Sequence, residues 1–190
     1  LAHAFADLIT LETDSHEICT FQNQLVPGLL QTKEYALAVV GSSKVWEDRD
    51  EVEKFVQVRA ARQAILSRED PVTFWAILGE AVLHQRGGGP HVTRNQLHHL
   101  VEMASRPNIT IQVLPFTAGA TTGMYGPFTT LRFAGPGVTE VVYLENLTGG
   151  LYLEHEDEVR RYDLAFNHLR ASALPTDDSM RLIATAADRL

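Results

Sequence analysis

Cysteine is almost missing from this sequence: Cys19 stands alone among 190 residues. A single thiol excludes an internal disulfide and suits a reducing cytoplasm. Long apolar runs are missing as well. No window approaches the ~18 uninterrupted apolar residues of a membrane helix, and the N-terminus lacks the basic-then-apolar order of a secretory signal. A cytoplasmic location with no membrane contact is the expectation. Positive charge is scarce, with 16 Lys and Arg against 24 Asp and Glu and a net charge of −8. That balance opposes the basic face needed for phosphate contacts, so this stretch alone is expected to bind nucleic acid poorly. The G-x-S-x-G elbow, the P-loop and the Rossmann glycine fingerprint are absent too. Gly87-Gly88-Gly89-Pro90 has neither the lysine nor the spacing to cradle a phosphate and reads as a break before a helix.

What is present describes an ordinary globular chain, 45% hydrophobic and 21% charged, without repeats, low-complexity tracts or a long linker. Residues 1–190 are long enough to fill one core and are read as a single domain. The opening Leu1-Ala2-His3-Ala4-Phe5 has helical texture and no initiator methionine, which suggests a piece of a longer polypeptide. A short helix is predicted over about residues 4–14 and a strand over 17–22. Thr32 should cap a helix through Tyr35, Ala36 and Val39 that Gly41 ends. Residues 48–68, DRDEVEKFVQVRAARQAILSR, form the clearest helix, opening on acids and closing on Arg68 as the helix dipole prefers. Pro71 stops it. A strand at 72–78, a short helix near 80–85 and a helix with a Thr93/Gln96 capping box follow, the last striped by Leu97, Leu100, Val101 and Ala104. Strands are predicted at 109–114, 128–133 and 139–145, the last two joined by Gly135-Pro136-Gly137. Two C-terminal helices close the chain, one at 155–173 with Val159, Tyr162, Phe166 and Leu169, the other at 178–190 with Met180, Ile183, Ala187 and Leu190. The expected class is α+β, with mixed α/β as the variant: a central sheet of about four to five strands flanked by helices.

Few residues offer chemistry. Of the eight histidines, His98 and His99 are adjacent and point off the Leu97/Leu100/Val101 stripe, which reads as a solvated face rather than a metal site. Cys19 beside a strand reads as a small buried hydrophobe. No catalytic residue, metal or cofactor is assigned, and catalysis is not the favoured reading.

Three stretches are less ordinary. On the long helix, Val52, Phe55, Val56, Val58, Ile65 and Leu66 define an apolar face into which Arg59, Arg62 and Gln63 fall. Buried guanidiniums need acceptors, because an uncompensated charge is costly; Glu80, Glu145 or carbonyls of the PGLLQ turn are the candidates. Either the arginines tie helix to loop, or they recognise an anionic ligand or partner. The second stretch is the glycine-punctuated connection from Phe116 to Pro127. It carries Met124 and Tyr125, and together with Phe128 it could wall a small-molecule or peptide pocket. The third is LVPGLLQT. Here a Pro-Gly signal, expected to turn with positive φ at Gly28, separates two aliphatic pairs, Leu25 with Val26 and Leu29 with Leu30. These four are assigned to a groove beside the Arg59/Arg62/Gln63 face and to a domain or subunit seam.

The blocks LVPGLLQTKEYA, RAARQAIL, GEAVLHQRGGG, QLHHLVEMASRPNITIQVLPFTAGA, GPFTTLRF and EVVYLE resemble, in order and spacing, a domain of unknown function in actinobacterial transcription regulators. The similarity spans roughly residues 7–190. In that family the domain follows an Xre-type helix-turn-helix, and some members are classed as antitoxin-like. The resemblance implies regulation, with DNA binding by an N-terminal helix-turn-helix in the parent protein that is absent from this chain; it brings no agreed ligand and no catalytic residues. Three readings stay open: an effector- or partner-sensing and oligomerisation domain of such a regulator, expected as a homodimer because two-fold operators match two-fold proteins; an antitoxin-like interaction scaffold without a small ligand; and a small enzyme or binding protein that reuses the domain without its DNA-binding head.

Overall fold

The computed structural model describes residues 3–42, 49–135, 137, 139–146 and 149–190. Strands at Ser15–Gln22 (β1), Thr73–Gly79 (β2), Ile109–Leu114 (β3), Phe128–Phe133 (β4), Glu140–Asn146 (β5) and Gly149–Leu153 (β6) form one sheet in the order β3-β2-β1-β4-β5-β6. Pairing is parallel from β1 through β2 to β3 and antiparallel from β1 through β4 and β5 to β6. Helices lie at His3–Asp14 (α1), Lys33–Ser42 (α2), Arg49–Arg62 (α3), Ala81–His84 (α4), Pro90–Met103 (α5), Glu156–Ser172 (α6) and Thr176–Asp188 (α7). The class is α+β with a mixed sheet, as the sequence predicts.

Alternation along the strands feeds two cores, because successive side chains point to opposite faces. On β1, Ile18 enters one core, while Cys19 and Phe21 enter the other; on β2, Phe74, Ala76 and Leu78 oppose Ile77 in the same way. The first core is closed by Leu97, Leu100 and Met103 of α5 and Ile183 of α7. The second is closed by Val159, Phe166 and Leu169 of α6, with Phe128 meeting Tyr162 at 5.0 Å between ring centroids. A smaller contact of Ala36 and Val40 with Val56 joins α2 to α3.

Several sequence expectations change. The sheet has six strands rather than four or five, since Gly149–Leu153 adds an edge. Its two glycines hide it from strand propensity, yet one of them is required: a Cβ on Gly150 would stand 2.0 Å from Cε2 of Tyr143, whose ring covers it. The long helix stops at Arg62, and residues Gln63–Leu66 tighten into a 3-10 turn that buries both Ile65 and Leu66; its predicted first residue, 48, lies outside the described residues. The capping box does not form. The helix begins at Pro90, four residues earlier than a Thr93 cap would place it, with Gly89 as its cap, because proline already fits the first turn. Thr93 and Gln96 are thereby buried in the helix. Thr32 does cap α2, its Oγ1 accepting the Tyr35 N–H at 3.3 Å. Gly28 is not among the glycines with positive φ; Pro27, at φ −58° and ψ 142°, leads into a 3-10 turn over Gly28–Leu30. Pro136 of the predicted Gly135-Pro136-Gly137 turn lies outside the described residues.

Candidate functional site

The aliphatic loop is held by its own core and by amides. Val26, Leu29 and Leu30 are buried, and Leu25 alone of the four keeps substantial exposure, at 39%. Packing therefore accounts for Leu29 and Leu30, which cannot reach a domain or subunit seam from the core; Leu25 can. Three glutamines fasten the backbone between them. Gln96 of α5, fully buried, donates Nε2 to the Leu30 carbonyl at 2.8 Å and accepts the Thr32 N–H on Oε1 at 2.7 Å. Gln31 donates Nε2 to the Val26 carbonyl at 2.7 Å. Gln63 donates Nε2 to the carbonyls of Gln31 at 2.7 Å and Gly28 at 3.3 Å. Buried backbone groups in a loop need such partners, or each costs about 1–3 kcal/mol.

The two arginines of α3 part company. Arg62 donates Nε and Nη2 to the two carboxylate oxygens of Glu12 at 2.7 and 2.5 Å, with both side chains over nine-tenths buried. This pair ties α3 to α1, and Glu12 was not among the predicted partners. A carboxylate four residues after Leu8, on the buried side of an amphipathic helix, is the signal that points to it. Arg59 instead donates Nη1 to the neutral Gln31 amide at 2.7 Å, lies over the Phe55 ring at 5.0 Å from its centroid, and leaves Nε buried without a hydrogen-bond partner among the described residues. Burial lowers the pKa of Arg59 from its ordinary value, Glu145 opposes that shift most, and Arg62 adds to it. Glu145 shares a cavity with Arg59 but makes no ion pair with it among the described residues, and Glu80 lies elsewhere, accepting the Phe116 N–H at 2.8 Å.

The connection between β3 and β4 contains two 3-10 turns, Phe116–Ala118 and Thr122–Tyr125. Its second half is anchored by Gly123, where a Cβ would come within 2.5 Å of Phe21. Beyond that anchor, Met124 is 77% and Tyr125 96% exposed. Phe116 is also exposed, but it stacks on His84, and Phe128 is buried in the second core, where it meets Phe21, Tyr162 and Phe166. Neither phenylalanine lines the cavity described next, because one belongs to the first turn of the connection and the other to the inward face of β4.

A cavity of about 780 Å³ brings the rest together. Leu25–Gly28 and Gln31 form one wall, Arg59 and Arg62 another, and Met124–Pro127 a third, with Tyr143, Glu145 and Asn146 from the end of β5. Gln63 is not at its surface but props the first wall from behind. Burial raises the Tyr143 phenol above its usual range, helped by Glu145, so it meets the cavity as a neutral hydroxyl at physiological pH. The position follows from topology. Strand order runs outward from β1 to β3, then returns to β4 beside β1, and the cavity opens past Gln22 at the carboxyl end of β1.

Other candidate chemistry recedes. Burial, with Glu17 next, lifts the Cys19 thiol to about 12, which leaves no thiolate near neutral pH. No group of three or more metal-ligating side chains converges among the described residues, and no helix among them is long and apolar enough to cross a membrane.

Residues 5–185 match the family described as domain of unknown function DUF5753. The chain belongs to that family. No curated protein matches it. The description of that family carries no activity.

Proposed function

We propose that this DUF5753 domain is the sensing and oligomerisation part of a cytoplasmic, homodimeric helix-turn-helix transcription regulator, and that its cavity receives the effector. The observation that carries the reading is the convergence of three segments remote in sequence, the Leu25–Gln31 loop, the Arg59 end of α3 and the Met124–Pro127 strip, on one cavity of about 780 Å³. Cavities of roughly 300–1,000 Å³ suit small ligands. The resemblance of the sequence blocks to domains that follow an Xre-type head supports placing DNA recognition outside this chain, as does its net charge of −8. The hydrogen bonds suggest how a signal leaves the cavity: Arg59 holds Gln31, Gln31 and Gln63 hold the loop, and the same loop is held by Gln96 of α5. An occupant that draws Arg59 away from Gln31 would alter the hold on the loop and, through it, α5.

The experiment uses the natural regulator polypeptide that contains this domain. Operator binding by the parent should change on addition of its effector, and Met124→Ala with Tyr125→Ala should abolish that change while operator affinity without effector stays the same. A normal response from the double variant would refute the assignment. A second reading, an antitoxin-like scaffold, is favoured by one observation: Leu25, Met124 and Tyr125 form an exposed apolar rim better suited to a protein surface than to a ligand wholly enclosed. Co-purification of a small protein lost in the same double variant, with no small molecule changing operator binding, would establish that reading instead.

A further inference from the structure

Resting on the assignment of this cavity as the binding site, we infer that its ligand is an amphiphilic anion: an apolar body carrying one acidic group that Arg59 reads. Two cations on one helix differ in their partners. Arg62 spends Nε and Nη2 on the two oxygens of Glu12, so its charge is cancelled where it stands. Among the described residues the hydrogen-bond partner of Arg59 is a neutral amide, through Nη1 at 2.7 Å from Gln31 Oε1. Its Nε is buried without an acceptor among the described residues. A guanidinium presents five donors in a planar fork, and that fork matches an acid group bidentately. Here the fork is oriented in advance, over the Phe55 ring at 5.0 Å and against Gly28, where a Cβ would stand 3.7 Å from Nε. An acid group would give Arg59 the direct, hydrogen-bonded charge partner that Glu12 gives Arg62 and that Glu145, acting on Arg59 with no ion pair among the described residues, does not.

The body of the ligand is set by the remaining walls. Leu8, Val26, Val40 and Phe55 line the cavity with apolar surface, and Met124 with Tyr125 stands at its exposed edge. A thioether and an aromatic ring adapt to a flat apolar molecule without demanding one shape. Glu145 sharpens the inference, because this exposed carboxylate shares the cavity with Arg59 and acts on it. It competes with any anion for the guanidinium.

The test is a fluorescence titration of the whole chain with a matched pair of probes, 8-anilinonaphthalene-1-sulfonate and the same skeleton without its acid group, N-phenyl-1-naphthylamine. The sulfonate should bind one to one and at least about tenfold more tightly than the neutral amine, as expected for a charge-assisted bidentate contact. Arg59→Met should weaken the sulfonate by about the same factor and leave the amine unchanged. Glu145→Gln, a change on an exposed side chain that keeps the fold, should tighten the sulfonate. Leu25→Trp, which places an indole in the cavity wall, should weaken both probes. Equal affinity for the two probes, an Arg59→Met variant with undiminished sulfonate binding, or a Glu145→Gln variant that fails to tighten it overturns the anion and leaves the cavity assignment standing. Binding of both probes undisturbed by Leu25→Trp, or no binding of either, overturns the cavity and the anion together.

Discussion

Two loops wall the same cavity and are built in opposite ways. The Leu25–Gln31 loop is apolar, mostly buried and short, and four of its backbone carbonyls are held by the side chains of Gln31, Gln63 and Gln96. The Phe116–Pro127 connection is longer and glycine-punctuated; it is anchored by Gly123 on Phe21 and then leaves Met124 and Tyr125 in solvent. The first loop cannot move without breaking buried hydrogen bonds, from Gln31 to Val26 and from Gln96 to Leu30. The second can move by turning side chains that touch little. A site made of one fixed and one adaptable wall keeps a constant position for Arg59 while accepting occupants of different outline, which is the arrangement expected where binding closes a loop over a ligand.

The comparison can be broken most forcefully behind the fixed wall. Glu12→Ala strands the buried Arg62 guanidinium and should cost about 3–5 kcal/mol in chemical denaturation, whereas Glu12→Leu with Arg62→Met, which removes both charges and keeps apolar volume, should cost much less. Equal and small losses would mean that this pair does not brace α3 against α1. Next in size is Gln96→Leu. Two buried backbone groups, the Thr32 N–H and the Leu30 carbonyl, lose their partners together, so a loss of about 2–4 kcal/mol is expected. A nearly unchanged denaturation midpoint would show the aliphatic loop to stand by packing alone.

A smaller effect lies away from both walls and serves as their control. Arg132 on β4 bonds Glu140 of β5 at 3.1 Å and also pairs with Glu17 of β1 and Asp163 of α6. Burial raises Glu140 to about 7; Arg132 opposes this and Asp163 reinforces it. A carboxyl whose folded pKa is raised contributes stability that is present below its unfolded value and lost as pH climbs through the folded one, here between about 4.5 and about 7. Glu140→Gln should therefore leave stability unchanged near pH 5 and raise it by about 1 kcal/mol near pH 8, after allowance for solvent screening. Cavity binding should not share this pH profile. The smallest change in stability belongs to the adaptable wall: Met124→Ala with Tyr125→Ala should shift unfolding by less than about 0.5 kcal/mol, as exposed positions do, yet remove the response to effector.

Helices with a clean period were legible in the sequence, as in the 3.6 spacing of Val159, Tyr162, Phe166 and Leu169, and so were the strands at 72–78, 109–114 and 128–133 and the α+β class. The sixth strand was not, since GGLYL opens on two glycines, and one of them, Gly150, is the residue the Tyr143 ring needs beneath it. Arg59 and Arg62 were legible as cations on an apolar face. Their different fates were not, because that depends on Glu12 and Gln31, which topology rather than spacing brings to them. Gln96 was visible only as a capping residue; its actual duty, bonding a loop more than sixty residues away in sequence, has no local signature. Met124 and Tyr125 were flagged by glycine punctuation, which marks where a chain can turn outward. Phe116 and Phe128 were flagged by proximity to them, and proximity in sequence does not decide which way a side chain faces.

Amide hydrogen exchange on the two walls tests the central claim most directly. The N–H groups of Leu30 and Thr32, bonded to the Pro27 carbonyl and to Gln96 Oε1, should exchange slowly in the free protein, and those of Met124 and Gly126, bonded only within their own turn, should exchange orders of magnitude faster. Saturation with 8-anilinonaphthalene-1-sulfonate should slow Met124 and Gly126 and change Leu30 least of all. Equal rates on the two walls without ligand, or a ligand that slows neither Met124 nor Gly126, would contradict the account.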